Sequence, residues 1–221
     1  MASYEKPDFW SMKAQNEDYP ARSVYKLIEI DKKFNFFNTI PQINSLQDGQ
    51  NTRQVPQAGL RVLDLGAAPG SWSLYVLRRY RNLFLVAADL LPLSRHFDRY
   101  GGNDFFFIQG DFTGDPVREE LLRRGPYSAI ISDAAPGTTG SRTVDTLRSL
   151  TLAEEALSYA KNSLAPSGNL VIKIFQGEDT VALLKRLREV FNKTRTYKPA
   201  ACRSNSFETY LIGLEKRIFG K

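Results

Sequence analysis

A single cysteine, Cys202, and a single histidine, His96, leave this 221-residue chain little of the usual nucleophilic and metal-binding chemistry. One cysteine closes no internal disulfide, and one Cys with one His falls short of the ligand set of a structural zinc site. No metal is expected. The same scarcity removes Ser-His and Cys-His pairs as a route to covalent catalysis, so any chemistry rests on Lys, Asp, Glu, Tyr or a cofactor. No stretch approaches the roughly 18–20 unbroken apolar residues of a membrane span. The N-terminal MASYEKPDFW has no apolar run after its charges, so no signal peptide is expected and the cytoplasm is the default location.

What is present suits one α/β domain with a small appendage. Hydrophobic residues make up 42%, enough for an ordinary core, and the length falls short of two full domains. Thirty Lys and Arg against twenty-four Asp and Glu give a net charge of +6, which points to a polyanionic partner such as nucleic acid.

Residues 1–40 read as an N-terminal arm with a helix from about Arg22 to Phe36. Val24, Leu27, Ile28 and Asp31 follow a period near 3.6, with Lys26 and Glu29 off the apolar stripe. Residues 41–59, PQINSLQDGQNTRQVPQAG, have no apolar period and read as a flexible insertion, since a structureless stretch of that length is unusual inside a domain. From Leu60 to the end, apolar strands (RVLDL, LFLVAADL, DFFFIQGD, YSAIISD, NLVIKIF) alternate with helices (WSLYVLRRY, 116–124, a long helix ended by Pro166-Ser167-Gly168, and TVALLKRLREVF). That alternation implies a doubly wound, Rossmann-like α/β fold with a mainly parallel sheet. RTYKP and ETYLIGLE are expected as an antiparallel pair near the sheet's end.

In such a sheet, ligands bind beyond the carboxyl ends of the strands. Asp64 and Gly66 follow the first strand, Asp89, Asp111 and Asp133 end the next three, and Lys173 lies near the end of the fifth. One Asp after a strand is ordinarily a turn former or helix cap; four around one crevice outline a site. The loop Asp64-Leu-Gly-Ala-Ala-Pro-Gly-Ser-Trp is not GxGxxG, so a cradled pyrophosphate is not its natural ligand. Gly66 and Gly70 allow close backbone approach, and Ser71 is expected to cap a helix whose free N–H groups suit a carboxylate. Asp89 follows Gly70 by nineteen residues, the distance at which a Rossmann-type acid meets ribose hydroxyls. Asp111 is positioned to accept from an adenine amino group.

DLGAAPGSWS, AADLLP, IQGDF, SDAAPGTTG, LVIKIFQGE and KPAACRSNSFETY occur in the order typical of FtsJ/RrmJ-type ribose 2′-O-methyltransferases, and ARSVYKLIEIDKKF resembles that family's arm motif. The resemblance spans nearly the whole chain apart from 41–59. It implies a seven-stranded class I methyltransferase sheet and S-adenosyl-L-methionine as cofactor, held by Asp64, Gly66, Gly70, Trp72, Asp89, Asp111 and Asp133. It also implies a catalytic tetrad of Lys26, Asp133, Lys173 and Glu208. Each tetrad lysine or glutamate taken alone reads as a solvated surface charge; only their joint presence in the motifs makes them a set.

The resemblance further implies RNA as partner, first a uridine of large-subunit (23S) rRNA within the assembled subunit, with a monomeric enzyme. The alternatives are a tRNA anticodon-loop 2′-O-methyltransferase and a non-catalytic RNA-binding assembly factor. Ala134, Gly137 and Cys202 depart from the family's usual residues and bear on the substrate more than on the reaction. Gly137 after Pro136 lacks the base-stacking aromatic of a base N-methyltransferase, and Cys202 lies outside any C5-methyltransferase motif. Arg22, Tyr25 and Arg203 neighbour the tetrad and are candidate RNA contacts, with Phe9 and Tyr19 as stacking candidates. Arg78, Arg79 and Arg81 fit phosphate contacts and a solvated helix face equally well.

Overall fold

The computed structural model describes residues 8–38, 59–102, 104–177 and 179–218. The expected insertion at 41–59 lies outside the described residues, apart from Gly59. Two helices, α1 (Phe9–Asn16) and α2 (Val24–Phe34), precede the alternating series β1 (Leu60–Leu65), α3 (Ser71–Arg79), β2 (Leu83–Asp89), β3 (Phe105–Gln109), α4 (Asp115–Arg123), β4 (Tyr127–Ser132), α5 (Arg142–Ser163), β5 (Leu164–Phe175), α6 (Thr180–Val190), β6 (Phe191–Tyr197) and β7 (Glu208–Lys216). They form one seven-stranded sheet in the order β3-β2-β1-β4-β5-β7-β6. Pairings among β1 to β5 are parallel; β7 runs antiparallel to both β5 and β6.

The sheet is buried on both faces, which explains strands that read as nearly continuous apolar runs. Side chains alternate between the faces. Val62, Leu85, Ala87, Ala129, Ile131, Val171, Tyr210 and Ile212 join one core cluster, shared with Val24, Leu27, Ile30 and Phe36 from α2 and its exit and with Trp72, Leu74 and Val76 of α3. Leu63, Leu65, Val86, Ile130, Leu170, Ile172, Ile174 and Leu211 join the opposite cluster with α5 and α6. The N-terminal arm is thus packed into the sheet's own core. The three phenylalanines of β3 divide between the faces, Phe105 and Phe107 toward α3 and Phe106 toward the other side.

Two local expectations are corrected. The long helix ends at Ser163, before Pro166, and the chain enters β5 directly at Leu164, with a register shift between Tyr127 and Ala129. Ser71 does not cap α3: it is the first helical residue, and the N-cap is Gly70 in the left-handed region at φ 108°, where no side chain caps the helix.

Candidate active site

Strand parity assembles the site. Lys173 shares a face with Val171, Asp133 follows Ile131 on that face, and Tyr210 pairs directly with Lys173 across β5 and β7. Glu208, two residues before Tyr210, lies opposite Phe175 on the same side. Above them runs α2. Lys26, off the apolar stripe of α2 but expected in the tetrad, is only 9% exposed, and Lys173 and Glu208 are as deeply set at 9% and 8%. The reason is that α2 is covered twice, by α3 and by the segment before β7, where Ala200 N–H donates to the Glu29 carboxylate and the Tyr197 hydroxyl also donates to it.

The four ionisable side chains form two pairs joined through Tyr210. Lys26 Nζ donates to Glu208 Oε2 at 2.8 Å. Lys173 Nζ donates to the Asp133 backbone oxygen at 2.5 Å and lies 3.0 Å from Asp133 Oδ1. The Tyr210 hydroxyl donates to that same Oδ1 at 2.7 Å, while Lys26 Nζ lies 5.9 Å from the centre of the Tyr210 ring. Burial works against the charge on Lys26, but Asp133 and Glu208 outweigh it and hold its pKa above the usual lysine value. Tyr210, buried and facing two carboxylates, is driven well above the usual phenol range. It was absent from the expected site; being two residues from Glu208 on a strand, it could have been placed there by period alone.

From Asp133 a cleft of about 940 Å³ opens along the carboxyl ends of β1 to β4, lined by Gly66, Asp89, Asp111, Asp133 and Lys173 among others. That volume is within the range of small-molecule sites, roughly 300–1,000 Å³. Asp89 shapes the first loop: its Oδ2 accepts from Ala68 N–H and its Oδ1 from Leu91 N–H, both at 2.8 Å. Asp111 Oδ1 accepts from the Thr113 N–H and hydroxyl. Three carboxylates face two cations in the lining, and Asp133 already pairs one of these, Lys173. Such a lining suits hydroxyls, an amino group and a positively charged centre, and disfavours a pyrophosphate. The residues therefore fit a cationic adenosyl compound such as S-adenosyl-L-methionine.

Gly66 is needed where β1 leaves the sheet, at φ 75°, because a Cβ there would fall 2.5 Å from that of Ala134. The side chains of Asp64 and Trp72, and Gly70, expected as cofactor contacts, do not line the cleft but build its wall. Asp64 shares the face of Val62 and is fully buried under α3, where Ser73 Oγ donates to its Oδ2 at 2.6 Å while Oδ1 has no partner. Burial pushes its pKa up to about 7. Trp72 Nε1 donates to the Ser23 carbonyl at 2.9 Å and its ring lies 5.8 Å from that of Tyr210, tying α3 to the start of α2. A Cβ on Gly70 would strike the Phe97 ring.

The profile of the family described as FtsJ-like methyltransferase matches residues 19–216. The chain belongs to the FtsJ-like methyltransferase family. Relatives include Ribosomal RNA large subunit methyltransferase E of Treponema denticola, 49% identical over 96% of this chain and 96% of the relative. The protein of that name from Borrelia garinii subsp. bavariensis is 38% identical over 99% and 100%. Among solved structures, a ribosomal RNA methyltransferase from Plasmodium falciparum matches this FtsJ-like chain with a TM-score of 0.66 and 24% identity, covering 90% of this chain and 98% of that one. Human methyltransferase-like protein 13, solved in complex with SAH, gives 0.53 and 15% over 75% and 76%. At these identities the two structures speak for the fold alone.

Of the expected RNA contacts, Tyr25 is corrected. It is 4% exposed, packed under Trp10 at 5.1 Å, with its hydroxyl donating to Glu17 Oε2. Arg22 is half-buried, donating to the Ala201 carbonyl and paired with Asp8, whereas Arg203 is exposed. Arg78 is committed to Asp18 and the Glu17 carbonyl and lies over the Tyr19 ring. Asp31 was not expected to matter: its Oδ2 accepts from Tyr75 and Tyr80 hydroxyls at 2.6 and 2.5 Å and its Oδ1 from Phe37 N–H, anchoring α2 to α3.

Proposed function

We propose that this FtsJ-like enzyme transfers a methyl group from S-adenosyl-L-methionine to a ribose 2′-hydroxyl of RNA, first among candidates a uridine of large-subunit (23S) rRNA. The observation that carries the reading is the pairing of Lys173 with Asp133 in the lining of an acid-rich cleft, with the buried Lys26–Glu208 pair linked to it through Tyr210. The name shared by the Treponema and Borrelia relatives supports the substrate.

The bound cofactor supplies an activated methyl group on a sulfonium, so the protein's task is alignment and management of one proton. Lys26, Asp133, Lys173 and Glu208 are assigned the catalytic work. Lys173 directs two N–H donors at Asp133, so its remaining position faces the acceptor hydroxyl and takes that proton as the C–O bond forms and the sulfonium C–S bond breaks. Glu208 fixes Lys26 beside it. Asp133 Oδ1 is occupied by Tyr210 and Lys173, so its other oxygen is open to a cationic sulfur. Asp89 is assigned to the ribose diol, Asp111 to the adenine amino group, and Gly66 to close approach of the cofactor. Asp64, Gly70 and Trp72 are assigned to holding that loop in shape.

The enzyme is read as a monomer acting in the cytoplasm on the assembled large subunit. Among the described residues, no helix is long and apolar enough to cross a membrane. Labelled S-adenosyl-L-methionine offered with undermethylated large subunits, free rRNA and tRNA tests the reading. A 2′-O-methylnucleoside from the subunits, lost in Lys173→Ala while the cofactor still binds, is the expected result. Product from tRNA alone overturns the substrate, and a base-methylated product overturns the chemistry. Undiminished transfer by Lys173→Ala overturns the catalytic assignment.

A further inference from the structure

Next to the segments that carry Lys26 and Glu208 lies a shallow hollow of about 390 Å³ whose walls include Phe9, Trp10, Arg22 and Arg203. We propose that this hollow receives the RNA nucleotide flanking the methylated one, its base stacked on Phe9 and its phosphate held by Arg203. The proposal rests on the functional reading above and adds a second nucleotide subsite to it.

Phe9 carries the argument first. It is 63% exposed, yet it is held in place, edge-to-face on Trp10 at 5.2 Å, and Trp10 in turn lies on Tyr25. An aromatic ring braced from behind with its other face bare is the platform on which an unpaired base stacks. Charge carries it second. Arg203 is exposed and makes no side-chain hydrogen bond or ion pair among the described residues. Arg22 and Asp8 neutralise each other, and the remaining Asp8 oxygen accepts from Ser11 N–H in capping α1, so the carboxylate in the hollow is already satisfied. What remains for a ligand is one free guanidinium beside one bare aromatic face, the complement of a nucleotide.

Position carries it third. Arg22 Nη2 donates to the Ala201 carbonyl at 2.6 Å, next to Cys202. The Cys202 thiol feels both Glu208 and Lys26. Arg22 itself lies two residues before α2, the helix that carries Lys26. Arg203, Ser204 and Asn205 of the hollow precede Glu208 by only three to five residues, so a strand leaving the acceptor site along that segment enters the hollow.

The test is steady-state methyl transfer to large ribosomal subunits from cells lacking the enzyme, with Phe9→Ala, Phe9→Trp and Arg203→Ala. Loss of one stack raises KM on the order of tenfold, with kcat, cofactor affinity and thermal unfolding unchanged, and Phe9→Trp restores KM. Arg203→Ala raises KM and lowers the slope of log KM against log salt by about 0.7, the release expected for one phosphate on a single strand. KM within twofold of the unsubstituted chain in Phe9→Ala, or an unchanged slope in Arg203→Ala, overturns the subsite. A rise seen on subunits but absent on protein-free rRNA puts a ribosomal protein in the hollow and overturns it too. An unsubstituted chain that methylates no RNA removes the functional reading itself, a result distinct from either.

Discussion

Replacing Glu208 by alanine strips the counter-ion from a lysine that has nowhere else to go. The two side chains are 11% and 10% exposed and 2.8 Å apart, so water does not substitute for the missing carboxylate. Breaking one partner out of a buried pair costs roughly 3–5 kcal/mol. Asp133 also acts on Lys26, which puts the expected loss near the lower end, about 3 kcal/mol. For a domain of this size that lowers Tm by roughly 6–12 °C. Lys26→Met alone leaves Glu208 buried and unpaired, with a similar loss. The double variant Lys26→Met/Glu208→Leu removes both charges and recovers most of the stability, because replacing a buried ion pair by apolar groups is often neutral.

Methyl transfer behaves differently: it is lost in all three variants and does not return in the double one. The pH dependence follows from the raised pKa of Lys26. The pair's contribution is fully present below the ordinary lysine value of 10.5 and disappears as pH rises through the higher folded-state value, so melts between pH 7 and 9 do not register it. Thermal melts and transfer assays on the three variants together check the reasoning. Native stability in Glu208→Ala, or transfer restored in the double variant, refutes it.

Asp64→Asn is expected to stabilise the chain at pH 8.5 by roughly 1–4 kcal/mol and to have little effect at pH 4, because the protonated acid is favoured in the fold and that advantage fades as pH rises through about 7; urea unfolding at the two pH values reads it. Gly70→Ala forces a Cβ to within 2.1 Å of the Phe97 ring from a backbone at φ 108°, and is expected to lower stability by roughly 2–3 kcal/mol and weaken cofactor binding, both measurable by calorimetry. Asp31→Ala orphans two tyrosine hydroxyls and the Phe37 N–H, and is expected to cost roughly 2–4 kcal/mol and to reduce kcat by loosening the helix that carries Lys26, with cofactor affinity retained.

The alternation of short apolar strands with helices, read from Leu60 onward, already implied the doubly wound sheet, and acids at successive strand ends already marked the cleft's lip. Those features are local: period, turn residues and strand length carry them. Lys26 was different. Its helix has a clear apolar stripe with Lys26 off it, so periodicity alone assigned it to water. It is buried because a second element, the segment between β6 and β7, closes over that side of α2. Tyr25 was misjudged for the same reason, since α1 covers it.

By itself, then, the order of residues determined which strand each acid ends and, through the alternation of strands, which face Lys173, Tyr210 and Glu208 share. Only the tertiary structure decided that Lys26 pairs directly with Glu208, 182 residues away, that Tyr210 joins the two ion pairs, and that the Asp64 side chain is buried against Ser73 of α3. Partners so distant along the chain leave no periodic trace, because their meeting depends on how β7 inserts between β5 and β6 and on what α2 is pressed against.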